Sequence, residues 1–99
     1  MNNQKQQVLS SLEDLSQTVQ ILIGYLTAGD SDKSHEAVTI LLQQGLAYFG
    51  AESEVMRQFF PVFDRIKRQV DANNLSKALG QTRVFEQQLD EVIAIVTNN

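Results

Sequence analysis

The chain reads as an all-α protein, an antiparallel up-down-up-down four-helix bundle. Three observations predict it. Apolar residues recur at alternating spacings of three and four through four segments, the repeat that lines one face of a 3.6-residue helix. Residues that end and start helices gather at only three places: Gly29 to Ser34, Gly50 to Ser53, and Asn73-Asn74. No period-two alternation competes anywhere. Turns this short make successive helices antiparallel neighbours, and none is long enough to divide the chain. Residues 1–99 are therefore expected to form a single domain. The runner-up is a helical-hairpin pair that completes its core only as a dimer.

The first helix is expected over about Gln4 to Ala28. Val8, Leu12, Leu15, Val19, Leu22 and Leu26 form an uninterrupted stripe, widened by Leu9 and Ile23. Gly29 follows as a glycine at the C′ position should, because it enters the left-handed region cheaply. The second helix is expected over Lys33 to Phe49, preceded by a polar turn rich in N-cap residues. Its apolar residues, Ala37, Val38, Ile40, Leu41, Leu42, Leu46, Tyr48 and Phe49, spread around most of the circumference. Such a helix is usually buried on several sides. Gly45 lies mid-helix, where it costs up to ~1 kcal/mol relative to Ala; letting a neighbouring backbone or ring come close would explain it.

The third helix is expected over Glu52 to Ala72, with Ser53 as N-cap and with Glu52 and Glu54 at the positive end of the macrodipole. Val55, Phe59, Val62, Ile66 and Val70 form its stripe. Met56, Phe60 and Phe63 widen the apolar arc to about 160°. Pro61 removes one backbone hydrogen bond and clashes with the preceding turn, so a kink near Pro61 is expected, with a complete break as the alternative. Asn73 suits the left-handed C′ position and Asn74 caps the next helix. The fourth helix is expected over Leu75 to Thr97, with Ala78, Thr82, Phe85, Leu89, Val92 and Val96 as its seam. Val84 and Ile95 point the other way.

Composition narrows the chemistry. There is no Cys, no Trp, one His and one Pro. This leaves no disulfide framework and no thiolate zinc site. The net charge of −4 argues against nucleic-acid partners, which want a basic face. The local cluster of Arg57, Arg65, Lys67 and Arg68 reads as a solvated face carrying its own counter-charge in Asp64. The longest apolar run, Val92 to Val96, is far short of the ~20 residues that span a bilayer, and the polar start lacks the apolar core of a signal peptide. Cytoplasmic residence with no membrane insertion is the expectation. His35, the sole histidine, reads as a surface residue rather than a metal ligand, and no cofactor or metal is expected. The carboxylate pairs Glu13/Asp14, Glu52/Glu54 and Asp90/Glu91 read as exposed helix charges and caps. No catalytic constellation emerges, so the chain is not expected to be an enzyme.

The informative surplus is aromatic. Tyr48, Phe49, Phe59, Phe60 and Phe63 sit on the two helices whose apolar arcs exceed what one bundle face requires. Aromatics at helical spacing are ordinarily core, which covers Phe59 and Phe63 but not every member of the set. A cluster of Phe and Met off the seam is a sign of an interface. Tyr48, Phe49, Met56, Phe60 and Phe63 are the candidate interface residues. Tyr48-Phe49-Gly50 resembles the Trp-x-Gly turn of the small helical-hairpin proteins exported by type VII secretion. That likeness covers three residues, with Tyr replacing Trp. The break at Gly29–Asp32 departs from the two-helix pattern, and the C-terminal Tyr-x-x-x-Asp/Glu signal is missing. In class alone, the chain is similar to bacteriocin immunity proteins and to secretion or assembly chaperones, which are also small helical bundles. The leading expectation is a non-enzymatic protein–protein interaction module, an adaptor, chaperone or inhibitor/immunity-type partner, self-associating as a homodimer. A carrier of a small apolar ligand, with space opened by Gly45 and Pro61, is the alternative, and a type VII secretion-like hairpin is another.

Overall fold

The turn residues stop and restart the chain where their backbone chemistry dictates, and four helices result. The computed structural model describes residues 2–98; Met1 and Asn99, the two ends of the expected domain, lie outside the described residues. Helix α1 is Asn2–Ala28, α2 is Ser31–Phe49, α3 is Glu54–Asp71 and α4 is Leu75–Asn98. No strand occurs among the described residues. The long dimension is 44 Å, close to the ~40 Å of a 27-residue helix at 1.5 Å per residue, so the helices run along the molecule.

Gly29 adopts φ +73 and its N–H meets the carbonyl of Leu26, while the Asp30 N–H reaches back to Tyr25. This Schellman arrangement satisfies the last carbonyls of α1. Asp30 then caps α2 by accepting from the Lys33 N–H. The pattern repeats at the far turn. Asn73 takes φ +57, its N–H donates to Val70 and that of Asn74 to Gln69, and Asn74 Oδ1 accepts from the Lys77 N–H. Ser53 caps α3 through the Met56 N–H at 3.1 Å.

Each helix packs on its two neighbours in a ring: α1 on α2, α2 on α3, α3 on α4, and α4 back on α1. This is a four-helix bundle whose core closes within one chain, not a hairpin awaiting a second copy. Thr18 donates to Gln44 between α1 and α2 at 2.6 Å. The Lys5 ammonium reaches the Thr97 carbonyl at 3.3 Å, and Gln20 bonds Glu86, both between α1 and α4. In α1 the expected stripe is buried from Leu12 to Leu26, with Ile23 beside it; Val8 is exposed. In α4, Ala78, Thr82, Phe85 and Leu89 are buried, while Val92 and Val96 are only partly covered.

Helix α3 runs through Pro61 without a break, which disposes of the split-helix alternative. Its buried residues are Met56, Phe59, Phe63, Ile66 and Val70. Met56 is therefore core rather than flank, and Val55 and Val62 are the partly covered margin. Phe59, Phe63 and Phe85 form an aromatic trio, with Phe85 centred 5.0 Å from each of the other two rings and edge-on to both.

Glycines at open helical positions give one prediction. Gly24 and Gly80 lie inside α1 and α4, both exposed, with nothing within 4 Å of where a Cβ would stand. Gly24→Ala and Gly80→Ala are each expected to stabilise the protein by about 0.5–1 kcal/mol through helix propensity and unfolded-state entropy. Urea midpoints measure this; a fall in either midpoint would mean the site is not open.

Candidate interaction surface

The second and third helices each have one flank that no other helix covers, and these flanks meet. On α2 it carries Leu42 and, one turn on, Leu46, which is 39% exposed. On α3 it carries Phe60, 49% exposed although every other Phe in the chain is buried or partly covered. Between them runs a groove of about 260 Å³ lined by Val38, Leu42, Phe60, Phe63, Asp64 and Lys67. Its floor and one wall are apolar and its rim is charged, the anatomy of a protein-binding patch.

Charge along this rim is arranged in short-range pairs. Arg57 lies 4.0 Å from Glu54, Arg68 lies 3.0 Å from Asp64, and Lys67 lies 2.8 Å from Asp71, all spaced at i,i+3 or i,i+4 on α3. This is the self-neutralised, solvated face expected of the basic cluster. His35 Nδ1 joins from α2 at 3.2 Å from Asp71 Oδ1. The Lys67 hydrogen bond, with His35 a smaller contributor, holds the Asp71 carboxyl below its usual range, and the same bond raises Lys67.

The sign of the pH effect follows. A carboxyl with a depressed folded pKa stabilises the fold above its unfolded pKa, and that contribution disappears as pH falls through the folded value. Between neutral pH and the region below ~4, where Asp ordinarily titrates, the wild-type Tm is expected to drop further than that of Asp71→Asn. Superimposable pH profiles would mean the Lys67–Asp71–His35 cluster adds nothing to stability.

The five candidate interface residues do not form one surface. Phe60 lies at the groove. Phe63 forms part of its floor but is 2% exposed, and Met56 is 1% exposed. Both are core residues: α3 is held between α2 and α4, so the middle of its apolar arc is buried and the Phe60 margin stays open. Phe49 is partly covered and packs on the core. Tyr48 faces the opposite neighbour. Its hydroxyl donates to Asp14 of α1 at 2.9 Å, and its ring stands edge-on to Phe49 at 6.4 Å. That hydrogen bond to a carboxylate raises the phenol above its ordinary pKa. Tyr48 and Phe49 line a separate open cleft of about 560 Å³ with Gln4, Gln7, Ser10 and Ser11. Val38 and Leu42 line the groove with Phe60. The signal for them in the sequence was the unusually broad apolar arc of the second helix.

Gly45 is explained by packing. An added Cβ would stand 3.0 Å from Met56 Sδ and 3.0 Å from Phe63 Cε2. The absent side chain makes room for α3, and the space is already filled by its core residues, so Gly45 opens nothing for a carried ligand. Ser34 is fully buried with no hydrogen-bond partner for its hydroxyl, whereas His35 next to it is half-exposed and turned to Asp71; the two are not poised as nucleophile and base. Among the described residues, no three of His, Asp and Glu come together in a metal-holding group, and no helix is long and apolar enough to cross a membrane. The fold is a small all-α bundle, and this surface carries an apolar, charge-rimmed groove between α2 and α3. No family model, curated protein or solved structure matches the chain.

Proposed function

We propose that this chain is a non-enzymatic helical interaction module that acts in the cytoplasm as an adaptor, chaperone or inhibitor-type partner protein and docks a protein on its α2–α3 face. The observation that carries this reading is Phe60, half-exposed on a helix whose other Phe residues are buried, beside a groove walled by Val38 and Leu42. An aromatic side chain left in water forgoes roughly 1.5–3 kcal/mol of burial. Phe60 is already half-covered within the monomer, so about half of that is left for a docked partner to recover. Phe60 is the central anchor and Val38 and Leu42 line the groove beside it, with no cofactor, nucleic acid or membrane insertion involved.

The test is Phe60→Asp. Association of the protein, with itself in light scattering or with another protein in affinity capture, is expected to weaken at least tenfold, while helicity is kept and Tm moves by only a few degrees. Unchanged association, or a collapse of the fold, would overturn the assignment.

A further inference from the structure

We infer that the cleft between the start of α1 and the end of α2 binds an uncharged, polyhydroxylated ligand, a short neutral oligosaccharide. This site lies apart from the α2–α3 face and does not depend on it. Gln4, Gln7, Ser11, Asp14 and Thr18 are spaced by three, four, three and four, so they form one stripe of α1. One end of that stripe holds α2: Thr18 donates to Gln44, and the Tyr48 hydroxyl donates to Asp14. Helix α2 then ends at Phe49, while α1 extends to Asn2. Toward that end Gln4, Gln7, Ser10 and Ser11 line the cleft of about 560 Å³ with Tyr48 and Phe49. Among the described residues, none of these Gln and Ser side chains is hydrogen-bonded within the chain. The stripe that grips α2 thus continues as a row of donors and acceptors facing an open cleft.

The chemistry of the walls selects the ligand. Asp14 is the only charged residue in the lining, and it repels an anion. A single exposed carboxylate holds an organic cation weakly, and this one already accepts from Tyr48. No three of His, Asp and Glu among the described residues come together around a metal. An apolar ligand wants walls that are predominantly hydrocarbon, whereas most residues here present an amide, a hydroxyl or a carboxylate. An extended peptide gains most by adding to a sheet edge, and no strand occurs among the described residues. What remains is a neutral ligand rich in groups that both donate and accept. Gln and Ser side chains do both, which suits sugar hydroxyls. The Tyr48 ring, 40% exposed and braced edge-on by Phe49, gives the C–H face of a sugar ring an apolar surface with a polar tip. From Gln4 to Asp14 the stripe runs for about 15 Å at 1.5 Å per residue, the length of a short oligosaccharide.

The test screens the purified full chain against an array of immobilised neutral and acidic oligosaccharides. The strongest neutral ligand is then titrated into the isotope-labelled protein and followed by NMR. Saturable binding is expected, with the shifted amides confined to residues 4–14 and 47–49. Tyr48→Ala removes the ring and its hydroxyl; the double variant Gln7→Ala with Ser11→Ala removes an amide and a hydroxyl from the facing wall. Each is expected to weaken binding at least tenfold, with circular dichroism checking that both fold. Phe60→Asp, on the other face, is expected to leave the affinity unchanged, so failure of this site and failure of the docking face are told apart. An array on which no neutral oligosaccharide binds, or on which only acidic ones do, overturns the inference. So do shifts centred elsewhere in the chain, or an affinity kept within twofold by either cleft variant.

Discussion

Phe85→Ala is expected to destabilise the protein by about 3–5 kcal/mol, the range for a Phe removed from a tight core. Phe85 is fully buried and touches Phe59 and Phe63 edge-on. It is the residue by which α4 engages the aromatic centre of α3. Removing it loses the transfer energy of the ring and two favourable ring pairs, and leaves a cavity bounded by two rigid rings that close only partly. The total stability of such a domain is about 5–15 kcal/mol, so this one change removes a large share of it. At about 4–8 °C per kcal/mol for a domain near this size, Tm should fall by roughly 12–40 °C. Urea unfolding checks the value: the midpoint should fall with the slope unchanged. A loss under ~1 kcal/mol would contradict the placement of Phe85 at the centre of the core.

Gly45→Leu is the second large effect, and its interest lies in the contrast with Gly24 and Gly80. Helix propensity treats all three as weak points that any side chain should improve. At Gly45 a Cβ already comes within 3.0 Å of Met56 Sδ and Phe63 Cε2. Met56 is flexible and its tail can give by a few tenths of an ångström. The Phe63 ring is fixed by Phe59 and Phe85. For Gly45→Ala the propensity gain of up to ~1 kcal/mol and the crowding should nearly cancel. For Gly45→Leu the added volume has nowhere to go, and overpacking of about 1–3 kcal/mol or more should dominate. Thermal and urea unfolding of the two variants beside Gly24→Ala test this. A stabilised Gly45→Leu would mean α2 and α3 are not in close contact there.

The local record was legible because its causes are local. Ser53 was identified as an N-cap and Asn73 as a left-handed residue from their own side-chain chemistry. The stripe of α1 was legible from Leu12 to Leu26 because a narrow, unbroken stripe can face only one way. The end at Val8 was not, since a periodic residue near a helix end has fewer neighbours to cover it. Helix α2 starts two residues before the expected Lys33, because Asp30 rather than a later polar residue takes the capping position.

The candidate surface was legible in part. Phe60 was identified as surplus because α3 carries more apolar width than one seam needs. Met56 and Phe63 are indistinguishable from it in the sequence, because all three flank the Val55–Phe59–Val62 stripe. The pattern along a helix tells how wide its apolar arc is, and not which margin its neighbours cover.

What the sequence by itself determined is the set of four helices, their ends to within two residues in α2 and α3, the turn chemistry, and the stripes of α1 from Leu12 to Leu26 and of α4 from Ala78 to Leu89; each follows from backbone preferences and from a period of 3.6. What only the tertiary structure decided is the rotation of α3 between α2 and α4. That rotation buries Met56 and Phe63, fills the space beside Gly45, and leaves Phe60 at the edge of a groove with Val38 and Leu42. The physical reason is that an arc of about 160° can be turned by tens of degrees with little change in buried area, and the choice among those rotations is made by the shapes of the helices on either side.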